Sequence, residues 1–311
     1  MQRNLTSNHE FHILAFSNYT GLQFPLAFWV LLMYLFSMFG NLIITGLVCL
    51  VSILHTPMYF FLCNLSVQDI VYVSAILPKL LAITITGDSR ILFSGCITQM
   101  FLFVSCVITE FLLLTAMAYD RYVAICIPLQ YVIIMNKNTC ALLATACWLV
   151  SSFTSLKYAI LVSNLSFCCS QEINHFFCDM KTMMRLSCSD TTIIHKVMFT
   201  EAVLLGILPF LLILTSYVYI SSAILKIHSL AGRAKAFSSC SSHMTVVIVF
   251  FGTTIIVYLK PDTGQMEEQE KLFSMLYIAV VPALNPLVYS MRNKDVIGSI
   301  RKLFGKTMYK L

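Results

Sequence analysis

Charge is what this sequence has least of. Only 11% of its 311 residues are charged while 59% are hydrophobic, and tryptophan (2) and glycine (11) are also sparse. A soluble domain needs a charged exterior around its interior, so this balance excludes an ordinary soluble fold and makes lipid the expected solvent. No cleavable leader is expected from the first 20 residues, which are polar with no apolar core, and the first apolar run is the expected insertion signal. There is no HExxH and no phosphate-binding glycine loop, and the serine-rich run 238–242 has no partnered Asp and His, so no enzyme is expected. Internal repeats with interrupted helices in matching halves, the mark of many secondary transporters, are absent as well. No transition metal, required cofactor or nucleic-acid partner is expected.

What is present is a series of seven apolar runs, at about 24–51, 57–81, 95–125, 140–162, 196–226, 235–259 and 271–291, between a tail of residues 1–23 and one of 292–311. A helix needs about 20 mostly apolar residues to cross the hydrocarbon, a barrel strand only about 10 with strict alternation. The runs therefore predict an all-α membrane protein, a single seven-helix domain. With the N-terminus outside, eleven basic residues fall on the cytoplasmic side, among them Arg121, Lys226, Arg233, Lys235, Arg292 and Lys294, against nine outside. The cytoplasmic ones cluster in short segments beside span ends, where the positive-inside rule is strongest. Glycosylation triplets at Asn4, Asn18 and Asn164 all lie on the proposed outer side.

Of twelve cysteines, seven fall in spans or at their cytoplasmic ends, where packing as small hydrophobes is the simplest use. The other five, Cys96, Cys168, Cys169, Cys178 and Cys188, lie outside, four of them in a loop of about 33 residues after the fourth span. An oxidising compartment favours disulfides over a metal site with His175, and an odd count leaves one thiol over. Inside the spans, Asp69 and Glu110 are costly and hence functional candidates. Two readings stay open for them: a hydrogen-bonded pair with Asn41 or Asn285, or a shared cation such as sodium. Pro209 and Pro286 each remove a mid-helix donor, and Asn285 is placed to serve the groups freed by Pro286. Arg121, taken alone, reads as an arginine snorkelling to the interface.

Its setting changes that reading. Met117 to Cys126 reads MAYDRYVAIC, Leu54 to Leu62 reads LHTPMYFFL, His175 to Asp179 reads HFFCD, Lys235 to His243 reads KAFSSCSSH and Pro282 to Ser290 reads PALNPLVYS. With Gly40-Asn41, Asn64 to Ser66 and Ser216-Tyr217 in the same order, these segments resemble the olfactory receptors among the rhodopsin-like G-protein-coupled receptors, over essentially the whole chain. The resemblance implies disulfides Cys96–Cys178 and Cys168–Cys188, with Cys169 unpaired, and a sodium site at Asp69 and Glu110.

It further implies a ligand pocket in the outer half of the bundle, between helices three, five, six and seven. The matching positions are Phe103, Val104, Val107, Ile108, Ala202, Leu205, Gly206, Phe251, Thr254, Ile255, Tyr258 and Ile278. Almost wholly apolar, they suit a small hydrophobic volatile oriented by Tyr258 or Thr254. Asp120, Arg121, Tyr122, Tyr217, His243, Asn285, Pro286 and Tyr289 are the implied activation switch, opening to a stimulatory heterotrimeric G protein that raises cyclic AMP. A basic rim of Lys226, Arg233, Lys235, Arg292 and Lys294 would meet that protein, and Lys294 to Leu303 would form a short amphipathic helix on the membrane surface. The expected location is the plasma membrane of olfactory cilia. The competing reading is a rhodopsin-like receptor for a peptide or lipid. Two departures from the family pattern stand out: Phe251 replaces a usual Tyr, and Met180 to Thr182 replaces a stretch often rich in proline, which suggests a flexible loop entrance.

Overall fold

A computed structural model describes residues 10–16, 20–168, 171–258, 267–291, 296 and 298. Seven long helices run through them: α1 (Gln23–Leu50), α2 (Pro57–Thr86), α3 (Phe93–Cys126), α4 (Lys137–Ser163), α5 (Thr192–Leu225), α6 (Leu230–Tyr258) and α7 (267–291). Six are long and apolar enough to cross a membrane, and α6 carries a shorter apolar stretch, Cys240–Thr254. Asn4, Asn18 and Cys169 lie outside the described residues, as do Arg292, Lys294 and, apart from Val296 and Gly298, the expected C-terminal helix. The side chains of Lys235, Ile255 and Tyr258 also fall outside them.

The helices begin and stop where local chemistry dictates. Pro57 opens α2 at a position whose N–H has no intrahelical partner, and the side chain of Asn136 caps α4 by accepting from the Thr139 amide at 2.9 Å. α2 extends past the expected end near residue 81 to Thr86. There Thr84 and Thr86 return their hydroxyls to carbonyls one turn back, and Gly87, at φ 74°, supplies the left-handed stop. α6 likewise starts at Leu230 rather than 235, and Arg233 donates to the carbonyls of Leu225 and Ile227. That guanidinium therefore caps the end of α5 instead of standing free on a basic rim.

α3 is the axis of the bundle: 72% of its most apolar window is buried, against 11% for α5 and 22% for α1, whose outer faces are left to lipid. It packs on α2, α4 and α5, while α1 is held by α2 and α7. The α1–α7 approach requires Gly40, since a Cβ there would sit 2.9 Å from the ring of Pro286. Pro286 has no N–H for the Pro282 carbonyl one turn back. The group that serves this carbonyl is Asn41, whose amide donates to it at 3.0 Å, and not Asn285 as the sequence suggested. Asn285 instead turns toward α2.

At the outer end residues 10–16 of the N-terminal tail are folded against the bundle. Glu10–Ile13 (β1) pairs antiparallel with Arg90–Leu92 (β2) and parallel with Glu172–Ile173 (β3). Phe11 and Ile13 alternate into a buried layer with Phe93 and Phe167. The long loop is tied down by disulfides Cys96–Cys178 and Cys168–Cys188. Their presence at this end agrees with an outer, oxidising side. Met180–Leu186 is a short helix capped by the Asp179 carboxylate, so the stretch expected to be a flexible entrance is ordered. Beside it, His175 is enclosed by Phe176 and Phe177. Burial, with Lys271 and Arg185 nearby, lowers its pKa to about 3 and keeps the ring neutral. Asn164 is exposed at the end of α4, its side chain turned back to the Ile160 carbonyl.

Candidate functional site

Two features of α5 shape a cavity. Pro209 interrupts the helix, and the turn before it, Ala202–Ile207, is π-helical, which widens the backbone where Ala202, Leu205, Gly206 and Ile207 line the cavity. Opposite stand Phe103, Val104, Val107, Ile108 and Phe111 of α3, with Phe251 and Thr254 of α6. Tyr158, Met180, Met198, Glu201 and Phe210 complete the wall. The space is about 260 Å³. Since an apolar cavity of about 150 Å³ holds benzene, this one suits a somewhat larger small molecule.

Among the described residues the wall is narrower than the sequence suggested, because none of its residues comes from α7. Ile278 is fully buried and is not part of it. Phe103 stacks on Tyr72 and packs at a tilt against Phe177 and Tyr277, with centroids 4.8 to 6.2 Å away, and this aromatic layer lies toward α7. Thr254 donates its hydroxyl to the Phe250 carbonyl at 2.8 Å, so it offers the cavity an acceptor. A larger groove of about 580 Å³ between α3, α4 and α5 opens on the outside of the bundle, where Tyr119, Leu212 and Tyr219 are exposed. Its mouth lies on the exposed apolar surface that a membrane protein turns to lipid.

Beneath the cavity the polar residues form two sets. In the middle of the bundle Asn285 donates to Asp69 at 2.8 Å. Asp69 Oδ1, Glu110 Oε1 and Asn285 Oδ1 are all buried there without a hydrogen-bond partner. Unmatched oxygens on two carboxylates and an amide are the donor set of a hard cation, so the residues fit a bound sodium ion. Nearer the cytoplasm, His243 of α6 joins three helices: its Nε2 lies 3.1 Å from the Leu114 carbonyl of α3 and its Nδ1 2.7 Å from the Tyr217 hydroxyl of α5. A carbonyl can only accept, so Nε2 carries the proton and Tyr217 donates to Nδ1.

At the end of α3, Arg121 donates to Asp120 at 2.9 Å, and Asp120 also accepts from Tyr131 at 2.8 Å. Asp120 is fully buried and the Arg121 side chain only 15% exposed, so this is a held pair and not a snorkelling arginine. Tyr122 packs edge-on against Tyr219 of α5. Tyr289 is buried in α7 with its hydroxyl unpartnered. The packing between the cavity and His243 is aromatic: Phe251 meets Phe111 at 4.8 Å and Phe210 at 4.9 Å, and Phe250 meets Phe111 at 5.0 Å, two turns of α6 above His243.

The family model for olfactory receptors matches residues 30–307. The chain belongs to the olfactory receptor family. It is 43% identical to human olfactory receptor 2A12 over 98% of this chain and 99% of that protein. It is 44% identical to gorilla olfactory receptor 1G1, over 97% and 96% respectively, and 45% identical to human olfactory receptor 2A1/2A42, over 98% and 99%. The protein is thus a multi-pass membrane receptor of the odorant type, which couples to a G protein and is not an enzyme.

In this receptor the structure gathers most of the expected pocket residues into one wall. It adds several that the sequence reading passed over. Glu201 is the most consequential, because a carboxylate inside a span was itself a signal. It forms an ion pair with Lys157 of α4, a residue read from sequence only as an outer-side charge.

Proposed function

We propose that the receptor binds small, mainly hydrophobic volatiles in the α3–α5–α6 cavity and activates a stimulatory heterotrimeric G protein, raising cyclic AMP at the plasma membrane of sensory cilia. The observation that carries this reading is the apolar cavity between α3, α5 and α6, which packs against the same aromatic cluster that leads to His243. An agonist shifts the balance between two packings only through its differential affinity for them. Contact with Phe251 favours a rotation of α6, which strains the bonds of His243 to α3 and α5 and frees the cytoplasmic ends of the helices to part. Arg121 then leaves Asp120, and a crevice edged by Lys226 receives the G protein. Phe103 stands on α3 where amine receptors carry a carboxylate, which argues against a biogenic amine.

The test is expression with the stimulatory G protein and a screen of volatile organics for cyclic AMP. Dose-dependent responses to volatiles are expected; silence to them with a response to a peptide or lipid would overturn the reading. We also assign Asp69 and Glu110 a sodium ion that favours the resting packing. Asp69→Asn or Glu110→Gln is expected to remove the dependence of signalling on sodium. Unchanged sodium sensitivity in both variants would dismiss the site.

A further inference from the structure

The cavity wall includes one carboxylate that its apolar reading does not use. Glu201 ends the regular part of α5 before the π-helical turn and lines the cavity. Its Oε1 is paired with the Lys157 ammonium, and its Oε2 is buried with no hydrogen-bond partner. We propose that Glu201 is the specificity-determining anchor of this cavity, and that it selects ligands carrying a hydroxyl group on a small apolar skeleton. The inference rests on the proposed ligand cavity and sharpens it.

Three considerations lead there. A buried carboxylate oxygen without a donor is costly, and a ligand that brings one recovers that cost on binding. Lys157 already balances the charge of Glu201, so a neutral donor fits better than an ammonium, which would sit close to a second cation. The remaining polar groups of the described wall are Thr254, offering an acceptor, and Tyr158. A ketone or ester can engage Tyr158 but leaves Glu201 Oε2 unmatched, whereas an alcohol satisfies it.

The test compares n-alkanols of six to ten carbons with their methyl ethers and with the matching primary amines, by cyclic AMP in cells whose surface receptor is counted by an epitope tag. The best alcohol is expected to show a half-maximal concentration roughly 10- to 100-fold below that of its ether, the range of a hydrogen bond to a charged group. Glu201→Leu should erase that difference by weakening the alcohol and not the ether, and Glu201→Gln, whose one oxygen turns to the Lys157 ammonium and leaves an NH2 donor that an ether can use as well as an alcohol, should narrow it. Where the leucine variant does not reach the surface, the ratios in the wild type and the glutamine variant decide. Ethers as potent as alcohols, amines more potent than alcohols, or a preference surviving in Glu201→Leu would overturn the inference. So would silence to all three series. A receptor that answers other volatiles in the broader screen would then lose this anchor but keep its cavity.

Discussion

Gly206→Phe is expected to silence the receptor toward its volatile agonists while leaving the amount at the cell surface unchanged. A Cβ added at Gly206 meets nothing within 4 Å, so the first atom of a new side chain is accommodated without shifting the backbone. Phenylalanine also has a higher helix propensity than glycine, which favours folding. The ring, however, occupies space that belongs to the ligand in a cavity of only about 260 Å³. If the ligand loses about 100 Å² of apolar burial, affinity falls by about 2.5 kcal/mol, roughly 70-fold. Cyclic AMP dose–response curves with surface counting give the check. An unchanged half-maximal concentration would mean that ligands bind elsewhere.

A loss of equal severity but different kind is expected for Cys96→Ser or Cys178→Ser. This bond closes a span of 82 residues and fastens the long loop to the outer end of α3. Removing such a crosslink typically costs about 2–5 kcal/mol. Here it also loosens Gln99, which accepts from the Cys178 amide at 2.9 Å while donating to the Ala75 carbonyl of α2. The fully buried Phe176 and Phe177 and the β3 strand depend on the same loop. Each single variant should therefore fail to accumulate at the surface, and the double variant should be no worse, because both remove one bond. Cys49→Ser, at an exposed unpaired thiol, should behave as wild type. Normal surface levels of Cys96→Ser would show that the loop is held without its disulfide.

Much of this arrangement was legible because lipid leaves few options. Helices were readable from the lengths of the apolar runs, and Asp69, Arg121 and His243 stood out because polar groups are rare in such a setting. The parts that escaped depend on backbone detail or on distant partners. Nothing in the run Ala202–Ile207 announces a π-helical turn, which is an outcome of Pro209 and packing rather than of local composition. Asn41 could not be assigned to the Pro282 carbonyl without knowing that Gly40 lets α1 approach α7. The β1 strand is four residues whose pairing partners lie 80 and 160 positions away, so no local periodicity reveals it. Glu201 is the different case: its charge inside a span was visible, and its role required the cavity.

The most direct measurement is a structure of the receptor with a volatile agonist bound in the presence of its G protein. The ligand is expected between Phe103, Val107, Leu205 and Phe251, within about 4.5 Å of their side chains, and Arg121 is expected to have left Asp120. A ligand seated against Ile278 on α7, or in the lipid-facing groove beside Tyr119 and Leu212, with the α3–α5–α6 cavity empty, would contradict the account.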